Sequence, residues 1–169
     1  MYRAYYAAGG TFGMHGVPAS EADFRFINAV GASIIFAGAI APLLLLAAWS
    51  HVKLRPILWV ACWVVSVGCI MHATVDIAQR GLSLTGLLAI SYPFWSSIDT
   101  RAADLQDLLF NEPWFFVEGL LWAAIAWTSG VSRSAYRVWY VGTGLAAIVA
   151  LTVIGLLSAT GVIGRFIVG

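Results

Sequence analysis

The chain has 169 residues, of which 61% are hydrophobic and only 10% charged. A soluble domain carries about a quarter charged residues, and a mean hydropathy of +0.88 excludes a water-facing surface, so the composition is that of an integral membrane protein. The net charge of +1 leaves no basic footprint for nucleic acid, and no such partner is expected.

The chain opens "MYRAYYAAGGTFGMHG", aromatic and glycine-rich, without the continuous apolar core of a cleavable signal peptide. "YRAYYAAGG" reads like the exit of a preceding helix, which leaves room for a fifth helix upstream of the rest. Four apolar runs follow, at about 26–50, 56–78, 113–128 and 138–163. A span needs about 20 mostly apolar residues. The first run contains Pro42, and the third is short unless it begins before Pro113. Proline suits the first turn of a helix, where its missing N–H costs nothing. Residues 101–110 have the pattern of an amphipathic helix lying on the membrane surface. The expected fold is all-α: a single transmembrane domain over 1–169, an integral membrane bundle of four helices with a structured outer loop.

Orientation follows from the short loops. Lys53 and Arg55 lie between the first two runs, Arg133 and Arg137 between the last two, and neither loop holds an acid. Both loops are expected in the cytoplasm. The loop 81–112, with Asp99, Arg101, Asp104 and Asp107, and both ends of the chain are then expected outside a cell membrane that the chain crosses several times. Tyr136, Trp139 and Tyr140 read as an aromatic anchor at the inner interface.

The second run closes on "MHATVDIAQR". Cys62, Cys69, His72, Asp76 and Arg80 fall along one helical stripe. The two cysteines are two turns apart, roughly 10 Å, too far for a disulfide. The third run, going the other way, carries Glu112 and, about 9 Å deeper along the axis, Glu118. Asp107, Asn111, Trp114, Glu118 and Trp122 would share a stripe if that helix starts early. The first run opens with Glu21, Asp23, Arg25 and Asn28. Polar groups thus converge on the outer half of the membrane, where a charge at the bilayer centre would cost at least about 2.5–3.5 kcal/mol. A carboxylic acid in a dry pocket can serve as a proton donor. The candidate catalytic residues are His72, Asp76, Glu112 and Glu118. The candidate substrate contacts are Asn28, Arg80, Trp114, Phe115 and Trp122, whose rings can shelter positive charge.

Other chemistry finds less support. A haem held by two histidines needs two intramembrane histidines, and only His72 qualifies. There is no CxxC, GxSxG or P-loop. A metal site from His72, Asp76 and Glu118 is a loose signal, so neither metal nor cofactor is expected. His72 with Asp76 also reads as a structural pair, and Glu112 before Pro113 as a helix cap.

"YYAAGGTFGMHG", "MHATVD" and "DLQDLLFNEPWFF" together resemble a family of small actinobacterial membrane proteins of unknown function, over most of the chain. More remotely, a His-x-x-x-acid pair on one helix and an acid followed by aromatics on another resemble the emopamil-binding sterol isomerases. Integral membrane terpene cyclases share that logic. The resemblance implies membrane-embedded acids that move protons on an isoprenoid, with His72, Asp76 and Glu118 at the matching positions. The expectation is therefore an enzyme performing proton-initiated cyclisation or isomerisation of a hydrophobic, terpenoid-like substrate. Its partners are that small molecule and the bilayer, with homo-oligomerisation left open. The rival readings are a small ion- or proton-coupled transporter, an accessory subunit of a membrane complex, or a polar cluster that only holds helices together.

Overall fold

The computed structural model describes residues 2–48, 54–128 and 134–163. In chain order these form α1 (Tyr2–Ala7), β1 (Gly16–Pro18), α2 (Glu21–Ala48), α3 (Arg55–Leu84), β2 (Trp95–Ile98), α4 (Thr100–Gln106), a π-turn (Asp107–Asn111), α5 (Glu112–Thr128) and α6 (Ser134–Ala159). Among the described residues the fold is all-α apart from one small two-stranded ladder. Four helical stretches are long and apolar enough to cross a membrane: Glu21–Leu45, Arg55–Leu84, Thr100–Thr128 and Arg137–Ala159. The protein is thus a membrane protein. Its helices pack as two compact units, residues 1–52 with 91–103, and residues 53–90 with 104–169.

In the first unit, α1 ends in a Schellman turn. Gly10 N–H bonds to Tyr5 O and Gly9 N–H to Tyr6 O, with Gly9 at φ +93°, a conformation that favours glycine. "YRAYYA" is itself a short helix, closed by the two glycines that follow. Arg25 on α2 donates from Nε to the carbonyl of Ala7. Ser20 caps α2 by accepting the Asp23 N–H at its Oγ, and Glu21 and Asp23 favour the positive end of the helix dipole. That cap starts the helix five residues before the apolar run begins. Rings link the elements in series: Tyr6 against Phe24 at 5.8 Å, and Phe24 against Trp95 at 5.3 Å. β1 and β2 pair antiparallel, Gly16 opposite Ile98. A Cβ at Gly16 would collide with the Ser97 carbonyl oxygen.

In the second unit, α3 is the central helix, packed against both α5 and α6. Pro56 sits in its first turn. At its end, Leu87 N–H bonds to Leu82 O and Gly86 N–H to Ser83 O. With 30 residues, α3 is about 45 Å long, which exceeds the roughly 30 Å hydrocarbon core. Its last turns therefore reach an interface. Its buried residues include Cys62, Ser66 and Ala73, and Ser66 with Ile70 meets Gly119 of α5. The facing stripe of α5 is Glu112, Gly119, Trp122 and Ala126, also buried. At Gly119 the helices nearly touch: a Cβ there would stand 3.0 Å from the Ser66 carbonyl oxygen. Small residues commonly permit such approach in membranes. Both cysteines are free.

The structure corrects the sequence reading in two places. Residues 101–110 are not a separate surface helix. They form the first part of the third span, which begins at Thr100 rather than Pro113. Pro113 is passed, not used as a start, because the turn before it is wide: Glu112 N–H bonds to Asp107 O, five residues back. Proline cannot donate to the carbonyl four residues earlier and its ring crowds that oxygen. A π-turn just upstream relieves both problems. Second, the expected aromatic anchor is divided: Trp139 is exposed. Tyr140 is buried, its ring 4.7 Å from that of Trp59. The side chain of Tyr136, and residues Lys53 and Arg133, lie outside the described residues.

Candidate functional site

The polar stripe of α3 meets the polar face of α4, the π-turn and α5. Because α3 and α5 run antiparallel, depth can be compared along them. His72 lies 17 residues from Arg55 and Glu112 lies 16 from Thr128, about 26 Å and 24 Å along their axes. The two side chains meet: His72 Nε2 is 3.8 Å from Glu112 Oε2. The Phe115 ring and the imidazole pack T-shaped, with centroids 4.8 Å apart.

One turn further along α3, Asp76 faces the same space. One donor atom from each of His72, Asp76 and Glu112 lies within 4.8 Å of the others. One more turn on, Arg80 spans three carboxylates. Its Nη1 is 3.1 Å from Asp104 Oδ1, and its Nη2 is 3.0 Å from Asp107 Oδ2 and 3.9 Å from Asp76 Oδ2. Ser83 Oγ donates to the other Asp104 oxygen at 2.6 Å, and Asn111 Nδ2 donates to Asp107 Oδ1 at 2.6 Å. Asp104 and Glu112 are almost fully buried, at 2% and 3% exposure. The Glu112 side chain has no hydrogen-bond partner at Oε2. Four carboxylates surround one guanidinium and one imidazole, an excess of three negative charges while His72 is neutral.

The π-turn makes this convergence. In an uninterrupted α-helix, eight residues would rotate Glu112 about 80° away from Asp104. One extra residue in the turn takes back about 100°, which leaves the two within about 20° of one face. Asp107 and Asn111 lie within the same turn.

Not every expected residue joins the site. Glu118 sits six residues from Glu112, about 120° around α5. It is half-buried, and its charge neighbours Cys69 rather than the trio above. Trp114 is 66% exposed and projects away from the α3 seam. Trp122 is buried on that seam, about 15 Å along the axis from Glu112. Asn28 belongs to the first unit, where its Nδ2 donates to Phe24 O. Arg80 is a clamp on three acids. Asp104, Asp107 and Ser83 were not read as part of the site, because the two acids fell in the stretch assigned to the outer loop. Their signal was present: 104, 107 and 111, followed by Pro113, is a helical face leading into a distorted turn.

The fold and the site define a multi-pass α-helical membrane protein with a buried His–Asp–Glu cluster clamped by an arginine. Comparison with family models, with curated proteins and with solved structures finds no match for the chain.

Proposed function

We propose that the protein is an integral membrane enzyme that isomerises or cyclises a hydrophobic, isoprenoid-like substrate by proton transfer. The observation that carries this reading is the Glu112 carboxyl, buried in an apolar span with Oε2 3.8 Å from His72 Nε2 and without a hydrogen-bond partner. In its acid form, Glu112 gives a proton to one carbon of a substrate double bond, and positive charge develops on the other carbon. Loss of a proton from a neighbouring carbon to His72 moves the double bond. Attack by a second double bond before that loss closes a ring. The proton then returns from His72 to Glu112, so each turnover balances. Asp76 lies beside the imidazole and stabilises its charged form, and Arg80 fixes Asp76.

Access and charge stabilisation support the same reading. The His72 side chain is 42% exposed, so a lipid-dissolved substrate can reach it. The Phe115 ring beside it can stabilise a cation through its face. Trp122 would meet only an elongated substrate. Below His72 the buried residues of α3 and α5 are mostly apolar, with Ser66 and the half-buried Glu118 near Cys69 as polar groups, fewer than a transporter path lined at full depth requires. The likeness to sterol isomerases and terpene cyclases points the same way, with Glu112 taking the place first given to Glu118. We further place the cluster on the outer side of the cell membrane, both ends of this chain outside, from the basic loops.

The test uses the full chain in lipid nanodiscs and a panel of prenylated and polycyclic isoprenoids in deuterated buffer, with products read by mass spectrometry. Conversion with solvent deuterium incorporated is expected. Glu112→Gln keeps the shape but removes the transferable proton, and turnover should fall about a hundredfold or more. Conversion of no substrate by the wild type, or a full rate in a folded Glu112→Gln protein, overturns the proposal.

A further inference from the structure

We infer that His72, Asp76 and Glu112 form a binding site for a divalent first-row transition metal ion. This goes beyond the proton-transfer reading and does not depend on it.

Three independent observations carry the inference. The first is geometry. His72 and Asp76 are one helical turn apart on α3, the arrangement that lets two side chains of one helix share an ion. Glu112 enters from the antiparallel α5, and one donor atom from each lies within 4.8 Å of the others. Ligands about 2.0–2.2 Å from a tetrahedral zinc stand roughly 3.4 Å apart. The His72–Glu112 edge of 3.8 Å is already close to that, and an edge at the 4.8 Å limit needs a contraction of about 1.4 Å, within reach of side-chain rotations.

The second is the Glu112 side chain itself. It is only 4% exposed, and its Oε2 is buried without a hydrogen-bond partner. That same atom is the one facing His72 Nε2. A buried carboxylate oxygen left without a donor is expensive, and an ion between it and the imidazole would satisfy both.

The third is charge. Asp76, Asp104 and Asp107 face Arg80 and Glu112 faces His72, so four carboxylates share one permanent cation. Such an excess of negative charge in surroundings of low dielectric must be offset, either by protons or by a cation. Arg80 already offsets the Asp104–Asp107 end. The uncompensated end is the one with the imidazole.

The donor set chooses the class of ion. Oxygen ligands alone would suit magnesium or calcium, whereas an imidazole with two carboxylates suits zinc, manganese or ferrous iron. Three protein ligands leave a coordination position open, on the side where His72 is exposed. Because the ion would hold Glu112 Oε2, a metal-loaded protein has no proton to give from that atom.

Metal binding is measured without any substrate. The full chain in nanodiscs is stripped with a chelator and titrated with Co²⁺, followed by its visible absorption, and with Zn²⁺ by calorimetry. One equivalent should bind saturably, with a cobalt spectrum typical of low coordination number. Glu112→Gln and Asp76→Asn should each weaken binding about a hundredfold or more. Glu21→Gln, an exposed acid of α2, should leave it unchanged. His72→Gln guards against a folding defect, since that side chain is partly exposed, and should abolish the cobalt spectrum while helicity is retained. Absence of saturable binding by the wild type overturns the inference, as does equal binding by the His72→Gln protein. A protein that binds cobalt yet converts no isoprenoid after the metal is stripped rejects the enzymatic proposal alone, and one that converts isoprenoid but shows no saturable binding rejects the metal site alone.

Discussion

Replacing Arg80 by Met tests whether the acid cluster is an integrated part of the fold. The guanidinium is 15% exposed and reaches Asp104 at 3.1 Å and Asp107 at 3.0 Å through separate nitrogens. Removing it deprives Asp104, of which 2% is exposed, of its cation beside the Ser83 hydroxyl, while Asp107, still bonded to Asn111, and Asp76, beside His72, are each 24% exposed at the side chain. Breaking a buried ion pair by deleting one partner costs about 3–5 kcal/mol. Asp104 alone would account for most of that, since its two neighbours retain some solvent. An ordinary polar contact between membrane helices averages only about 0.6 kcal/mol. Thr74→Val, which removes the 2.9 Å contact between the Thr74 and Thr152 hydroxyls joining α3 to α6, supplies that comparison. Reversible unfolding in mixed micelles, followed by helicity, should therefore separate the two variants clearly. Arg80→Lys should fall between them, because one ammonium cannot serve both aspartates with a planar fork. Adding Asp104→Asn to Arg80→Met removes the stranded charge and should recover a large part of the loss. The reasoning fails if Arg80→Met loses no more stability than Thr74→Val, or if Asp104→Asn recovers none of it.

Two further perturbations probe the packing and the first unit. Gly119→Leu would drive a side chain into Ser66 and Ile70 of α3, and overpacking typically destabilises by about 1–3 kcal/mol. Gly142→Ala, where a Cβ meets nothing within 4 Å, should be neutral or stabilising in the same unfolding assay, and equal effects of the two would contradict the close approach. In the first unit, burial and then the neighbouring Tyr2 and Tyr5 phenols push the Tyr6 phenol above its usual 10.0. A raised value means the folded unit favours the neutral phenol, so its contribution is complete below about pH 10 and is lost as pH rises through the raised value. Ultraviolet titration of tyrosine ionisation should show a late step that Tyr6→Phe removes, and an unchanged titration curve would refute this.

The spans were legible because burial in lipid demands long apolar helices with all backbone groups paired internally. Their ends were not, because polar residues continue a helix beyond the apolar run: Ser20 and Glu21 begin α2, and Arg80 to Leu84 finish α3. The pairing of Gly16–Pro18 with Trp95–Ile98 was hidden, since strands of three and four residues leave no alternating pattern and the partners lie about eighty residues apart in the chain. His72 and Asp76 were found because i, i+4 spacing survives any detail of the helix. Glu118 was favoured over Glu112 on depth, an argument that ignores direction. A helix turns about 100° per residue, and that angle sets Glu112 against His72 and Glu118 away from it, nearer Cys69. Trp114 was misplaced for the same reason, since the stripe running from Asp107 through Trp114 assumed an unbroken α-helix. The π-turn at Asp107–Asn111 breaks that register.

Adhesion is a poor explanation for this cluster. Buried ion networks replaced by well-packed apolar side chains are often as stable or more stable, by about 1–4 kcal/mol. The α3–α5 seam shows the cheaper solution a few turns deeper, where Ser66, Gly119, Trp122 and Ala126 close the same interface with almost no charge. One arginine would also need only one acid to be neutral, whereas three contact it and a fourth, Glu112, faces His72. The backbone is distorted to bring them there. Without the wide turn ahead of Pro113, Glu112 would rotate away from Asp104 and His72 would lose its partner across the seam. A distortion that adds uncompensated negative charge to a membrane interior does not stabilise the fold by itself. It becomes intelligible once a proton or a metal ion occupies the space between His72, Asp76 and Glu112.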